Sequence, residues 1–529
     1  MPASLASTLS RRRFGLLAMG GGAYLLGGCT GSMRTLSSLP PGIAPVGPAP
    51  RIEDGLERAV PEEQGVSSEA VLAFLADVRT AGLELHSLML MRNGKVVAEG
   101  WWWPYRADRI HMTHSATKSV TAAAVGLAMA EGRFGLDDKV VSFYPEFVPA
   151  DASANLKAMT VRDLLVMETG HDVETSGSAW RPLDGSWVAE FMKIPVVHTP
   201  GTFFKYTSAS TYMLSAIVSR TTGQSTADYL RPRLLDPLGI DRFTWDSSPG
   251  GISTGANGLS WQTASMLKFA ALHAQDGLWN GSRVLPENWV ATATRRHSAG
   301  EDEYGYGYQW WMGPGRAYYA LGLFTQMAVV FPDHGASLAI FGAIKGSKKL
   351  KPLIWKHFPS AFSESRIPAS DAAEALRRRT AELRLLPALM GSSSPLEARL
   401  SGQRFAIAPN DQDVAWVSFD FSDGRCAYHM VDSHGDHRIV AGFGEYLEQD
   451  TSMTGNRLHH EYHPDTMRVV AGARWISSDQ LEMTWQFVET AFRDTVLCTF
   501  RDGGVSIDRS VNLNSNETRL PLLQGRAGG

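Results

Sequence analysis

The chain has 529 residues, 44% hydrophobic and 20% charged, which excludes a disordered, collagenous or multi-span membrane protein and leaves room for roughly two to four domains. Fifty Lys and Arg against 54 Asp and Glu leave a net charge of −4, so no global field draws the chain to nucleic acid, and none is expected as a partner. Three cysteines cannot frame a disulfide scaffold, and the core must come from apolar burial.

In chain order, Ser10-Arg11-Arg12-Arg13-Phe14-Gly15-Leu16 is a basic segment before a short apolar stretch ending at Leu26. That stretch is interrupted by Gly20, Gly21 and Gly22 and falls short of the ~20 residues of a membrane span. The paired arginines resemble the twin-arginine export signal, and Leu26-Gly27-Gly28-Cys29 resembles a bacterial lipobox. The resemblance implies a signal over 1–28 and a lipid on Cys29, with the mature protein held at the periplasmic side of a cell envelope. Residues 29–54, with Pro40, Pro41, Pro45, Pro48 and Pro50 among small residues, read as an extended tether.

The body opens with a helical pattern over Ser67 to Arg79, followed by short strands at Leu88 to Met91 and Val96 to Glu99 around the hairpin signal Asn93-Gly94. A long helix is predicted from Ser115 to Glu131, stopped by Gly132. Further helices are predicted at Val161 to Glu168, Ser208 to Arg220, Ser225 to Leu230 and Thr263 to Gln275. Strand character returns at Tyr306 to Trp311, Gln326 to Phe331 and Ala336 to Phe341. Strands, then helices, then strands predict an α+β domain over 55–360, a sheet whose early and late strands pair around an inserted helical region. Residues 361–400 read as a helical linker with an amphipathic helix at Ala372 to Leu389, and 401–515 as a small all-β domain of alternating segments between turns.

One constellation carries chemistry. Ser115-Ala116-Thr117-Lys118 places a hydroxyl and an amine on one side of a helix start, where backbone N–H groups favour a developing oxyanion. Tyr206-Thr207-Ser208 stands at the mouth of a second helix, and Ala320-Leu321-Gly322 precedes a strand. In this order the three motifs resemble those of the serine β-lactamase and penicillin-binding protein superfamily. The segments Val161 to Gly170, Tyr304 to Trp311 and Ala320 to Gln326 look closest to class C-like 6-aminohexanoate-dimer hydrolases and esterases. The resemblance implies a β-lactamase/transpeptidase-like fold and a serine hydrolase acting on small ester or amide substrates, with no cofactor or metal. It implies Ser115 as acyl-accepting nucleophile, Lys118 and Tyr206 sharing the proton work, and the amides of Ser115 and Leu323 as oxyanion donors, with Gly322 and Ser208 beside the substrate. Whether Lys118 or Tyr206 is the base stays open, and so does the oligomeric state. A non-catalytic envelope-binding module, a D-amino-acid peptidase and a β-lactamase are the alternatives. Ala320 stands where β-lactamases usually carry a cation, which weakens the β-lactam reading, and Phe324-Thr325 replaces the His-Gly that such dimer hydrolases tend to show.

Other features read as structural. Gly251-Ile252-Ser253-Thr254-Gly255 matches a nucleophile elbow but follows a loop, so Ser253 is expected in a turn bordering the site. His429, His434, Asp436 and His437, with His459, His460 and His463, are expected in exposed polar turns between strands rather than at zinc. His114 is expected to be structural. One of Trp101, Trp102 and Trp103 is expected at a pocket wall or domain contact, and Tyr306, Tyr308 and Trp310 in core packing. Pairing of Cys426 with Cys498 is left open.

Overall fold

Asn93 and Gly94, with φ of 50° and 76°, close the hairpin between Leu85–Arg92 and Lys95–Trp101, the left-handed pair that a two-residue turn requires. The computed structural model describes residues 39, 41–47 and 53–528, apart from 175, 177, 178, 454 and 463. The expected signal, Cys29, most of the tether and His463 lie outside the described residues. The features below belong to the unit Pro40–Gly529.

The hairpin lies toward one edge of a seven-stranded sheet, with only the short strand Glu57–Arg58 beyond it. Ala336–Gly342 pairs antiparallel with Leu85–Arg92, and Gln326–Phe331 and Tyr318–Gly322 follow outward. Early and late strands therefore meet around the inserted helices, as the order of elements predicts. Alternation along Leu85–Arg92 feeds two cores: Met89 and Met91 point into the helical layer around Thr117–Ala130, while Leu88 and Leu90 pack with the helices Ser68–Thr80 and Lys351–Ala361. The helix Thr117–Ala130 is buried nearly all round, which its run of alanines allows without crowding neighbours.

Three elements depart from their predicted extents. The helix expected at Val161 to Glu168 ends at Leu165, since Met167 turns left-handed at φ 61°. The strand expected at Tyr306 to Trp311 is reduced to Trp311–Met312 because Gln309 has φ 62°. The helix from Ala372 stops at Ala381, where the backbone instead bonds Trp103 through Leu383 and Leu385. Trp103 also meets Tyr446 edge-on at 5.4 Å, the domain contact expected of one of the three tryptophans.

The C-terminal strands, joined by the short strand Ala44–Pro45, form an 11-stranded sheet, nine strands of which close into a ring with Leu447–Thr451 and Ala44–Pro45 as a side branch. Met467–Trp475 pairs with Gly435–Phe443 on one side and Gln480–Phe487 on the other, and the remaining strands complete the circuit through Arg404–Ile407 and Leu523–Ala527. Closure leaves a barrel without long free edges. Its interior holds Phe419, Tyr428, Trp485 and Phe500 together with Cys426 and Cys498, which remain free thiols.

The barrel docks on the segment just before the expected nucleophile. The Met112 amide donates to the Glu489 carbonyl at 2.8 Å, the Tyr105 hydroxyl to the Thr490 carbonyl at 2.8 Å, and Arg493 pairs with Glu84 at 2.9 Å.

Candidate active site

Thr113 ends a short strand, its amide and hydroxyl both bonded to the Leu259 carbonyl at 2.9 and 2.6 Å. His114 then turns left-handed at φ 49°, an uncommon state for a residue with a side chain. The reversal delivers Ser115 to the first turn of the central helix, partly exposed, while Lys118 one turn on is only 1% exposed. Lys118 Nζ lies 3.1 Å from each of three oxygens: Ser115 Oγ, Ser208 Oγ and the Ala256 carbonyl. Three acceptors match the three N–H of an ammonium, yet burial dominates and pushes the Lys118 pKa down to about 8, opposed by the Glu174 carboxylate. Glu174 accepts from the Ser208 amide at 2.9 and 3.2 Å, at the start of the helix Ser208–Thr222.

Tyr206 completes the group. Burial drives its pKa well above the usual tyrosine range, and the nearby Ser115 hydroxyl only partly offsets this. The ring stacks on Trp311 at 5.4 Å and 25° and meets Tyr306 edge-on, with Lys118 Nζ 4.9 Å from its centroid. The structure thus brings Ser115, Lys118, Tyr206 and Ser208 together.

The third motif runs alongside. A Cβ on Gly322 would stand 2.0 Å from the Thr113 carbonyl, so only glycine lets the strand approach the turn that carries Ser115. The Leu323 amide makes no hydrogen bond among the described residues. Ala320 is 2% exposed and packs in the core, and supplies no cation. Phe324 and Thr325 are both left-handed, at φ 61° and 73°. They send the Phe324 ring into the barrel core, where it meets Phe492, His460 and, back toward the site, His114 at 5.6 Å.

Burial pushes the His114 pKa down to about 3, helped by His460, Arg181 and Lys118. It therefore stands as a neutral packing group. Ser253 is buried, its hydroxyl accepting the Ala227 amide at 3.2 Å. The glycine-rich turn around it places Gly255 against Thr121, whose hydroxyl donates to the Gly255 carbonyl at 2.7 Å, and presents Ala256 to Lys118. Tyr306, Tyr308 and Trp310 are buried in the core. In the barrel, His437 pairs with Asp432 at 2.9 Å, His459 with Asp494 at 2.8 Å, and His429 with Asp436. Among the described residues no three metal-ligating side chains converge.

Glu174, Ala256 and Gln309 give no sign in sequence spacing. Gln309 bonds the Leu164 and Leu165 carbonyls through Nε2, accepts from Thr211 at Oε1, and accepts from Ser119 at its carbonyl. One buried residue, through its backbone carbonyl and its side chain, thereby links the two helices that carry Lys118 and Ser208. A cavity of about 690 Å³ opens beside Ser208 and Ala256; Trp180, Arg181 and Asp246 line it from the hydrolase region, and Glu461 and Tyr462 from the barrel.

A model of the family described as Beta-lactamase matches residues 72–355. A 6-aminohexanoate-dimer hydrolase of Paenarthrobacter ureafaciens is 25% identical over 44% of this chain and 63% of its own length. The esterase EstB of Burkholderia gladioli is 27% identical over 36% of this chain and 50% of its own length. The chain thus spans between half and two thirds of these relatives. A solved penicillin-binding protein homologue from Caulobacter crescentus superposes with a TM-score of 0.45 at 20% identity, covering 56% of this chain and 97% of that one.

Proposed function

The chain belongs to the Beta-lactamase family, and on that premise we propose that it hydrolyses small esters or amides through an acyl-enzyme on Ser115. The observation that carries this reading is the 3.1 Å approach of Lys118 Nζ to Ser115 Oγ. With its pKa near 8, Lys118 is neutral in a useful fraction of molecules and takes the Ser115 proton as Oγ adds to the substrate carbonyl. The oxyanion formed is held by the Ser115 and Leu323 amides; losing one such donor costs about 100- to 1000-fold in other hydrolases. The proton passes to the leaving alcohol or amine as the C–O or C–N bond breaks, with the Tyr206 hydroxyl bridging to Ser115. Water then repeats the addition on the acyl-Ser115 ester, giving its proton to Lys118, which returns it to Ser115 Oγ as the acyl–oxygen bond breaks and the acid leaves. Tyr206, with its pKa raised by burial, remains a neutral phenol, which favours Lys118 as the base.

Export and lipid anchoring belong to the same proposal. They rest on the arginine pair Arg11-Arg12 and on Cys29, which would tether the enzyme to a membrane facing the periplasm. Among the described residues no helix is long and apolar enough to cross a membrane.

The test is fluorophosphonate labelling of the folded protein, with the adduct located by mass spectrometry. Labelling at Ser115 that disappears in Ser115→Ala and is strongly reduced in Lys118→Ala is expected. A folded sample that does not label at Ser115 overturns the hydrolase reading in favour of a binding module.

A further inference from the structure

The cavity beside Ser208 and Ala256 holds two charges, Arg181 and Asp246, that make no ion pair within 4.0 Å among the described residues. Arg181 is partly buried, and among the described residues its one hydrogen-bond acceptor is the His460 carbonyl. A guanidinium carries five N–H donors, so this one bond leaves capacity for an anion, although the group also lies over the Tyr462 ring at 5.7 Å and in the field of Asp246 and Glu461. Asp246 is also partly buried; its backbone is fixed by bonds to Gly258 and Thr254, but its carboxylate has no hydrogen-bond or ion-pair partner among the described residues. The two side chains feel each other's field, yet no ion pair joins them within 4.0 Å. Burial raises the Asp246 pKa to about 6 and lowers that of Arg181, the signature of charges held short of solvent without a full partner. The same cavity is lined by Trp180, Trp187 and Tyr212, whose rings pack against one another.

We infer, on the reading of Ser115 as the acylated serine, that this cavity is a subsite for a substrate portion bearing both a carboxylate and an ammonium group, as in an amino-acid unit joined to the scissile bond through its side chain. Arg181 takes the carboxylate and Asp246 the ammonium, while the aromatic walls cover the side chain. A carboxylate alone would sit beside the Asp246 carboxylate, and an ammonium alone would leave Arg181 without an ion-pair partner. A group with both charges answers each, and unpaired charge in a semi-enclosed site is costly. The cavity volume of about 690 Å³ lies inside the usual range for small-molecule sites. Arg181 replaces, from a different element, the anion-holding cation that Ala320 cannot supply. The barrel is part of the subsite: the His460 carbonyl anchors Arg181, and Glu461 and Tyr462 close the outer wall. The reversal that forms this wall carries left-handed residues at His460 and Glu461, φ 58° and 54°, a conformation that tertiary packing must enforce.

The experiment is calorimetric titration of the full chain at pH about 7.5, where Asp246 is ionised, with phenylalanine (both enantiomers), 3-phenylpropanoate and 2-phenylethylamine. These probes share one aromatic side chain and differ only in their charges. One enantiomer of phenylalanine is expected to bind at least about tenfold more tightly than either singly charged probe. Arg181→Met should reduce phenylalanine to the level of the amine, Asp246→Asn should reduce it to the level of the acid, and Arg181→Lys should restore part of the loss. Equal binding of the three probes, or no binding of phenylalanine, overturns the subsite without any variant being made. Fluorophosphonate labelling of the same sample separates the two readings. Labelled Ser115 with unselective binding overturns the subsite alone, whereas selective binding beside an unreactive Ser115 supports the subsite and overturns the hydrolase reading.

Discussion

At the scale of single residues, burial does two opposite things to the two candidate bases. It penalises charge, so it lowers the pKa of Lys118 and raises that of Tyr206. A base must be unprotonated to act, so kcat/KM for a neutral ester should rise with pH through an apparent pKa of about 8 and then level off. A limb above pH about 10, the ordinary tyrosine value, would instead identify the Tyr206 phenolate. Glu174 holds the Lys118 pKa up, so Glu174→Gln should move the limb to lower pH, read from the same pH–rate profile. Ser115→Ala should cost on the order of 10⁴-fold or more in ester hydrolysis, because the nucleophile has no substitute. Cephalosporin turnover should be slow or absent, since Ala320 is buried in the core; efficient hydrolysis would show that the missing cation is not needed.

At the scale of elements, the turn Leu323-Phe324-Thr325 explains a departure that the sequence leaves unexplained. Two consecutive left-handed residues with side chains cost about 1–3 kcal/mol each. The 2% exposed Phe324 ring recovers this by filling the barrel core against Phe492 and His460. Phe324→Ala should lower unfolding free energy by about 3–5 kcal/mol, measured by denaturant titration. It should also slow ester hydrolysis, because the same turn carries the Leu323 amide. A stability loss without any change in rate would mean that turn and oxyanion donor move independently. The strand before it tolerates no side chain at Gly322, where the Thr113 carbonyl stands in the way.

At the scale of the whole molecule, buried histidines make the fold acid-sensitive. Burial pushes His171 and His273 from 6.5 down to about 4, and His86 and His111 at the barrel docking face are also lowered. A histidine with a depressed folded pKa contributes stability that is complete above its unfolded value and lost as pH falls below it, since the unfolded chain takes up protons first. Asp246 and Glu489, raised by burial, act in the opposite direction. The paired acids Glu84 and Asp494, with lowered values, add to the acid loss. Each of His171 and His273 should contribute about 3 kcal/mol of loss by pH 4, so Tm should fall steeply between pH 6.5 and 4 in calorimetry. His273→Phe should flatten part of that slope.

Local pattern was enough for the elements whose side chains repeat regularly. The hairpin at Asn93-Gly94, the helix carrying Ser115 and Lys118, and the strands Gln326–Phe331 and Ala336–Gly342 could be read directly, as could the ordered motifs at Ser115, Tyr206 and Gly322. Periodicity failed where a left-handed residue interrupts a regular run, as at Met167 and Gln309, because single-residue φ has no pattern in a chain of ordinary side chains. Residues that act by convergence were invisible for a different reason. Glu174, Ala256, Gln309, Arg181 and Asp246 matter through neighbours dozens to hundreds of positions away, and only packing decides which of their polar groups are satisfied. The choice between Lys118 and Tyr206 was undecidable from composition, since desolvation depends on what surrounds each group. The sequence alone determined the family and the order of its motifs, which are local and repeated in kind. The closed barrel, its hold on Phe324 and the charged cavity it helps to wall were decided by tertiary structure, because strand closure and burial are properties of long-range contact.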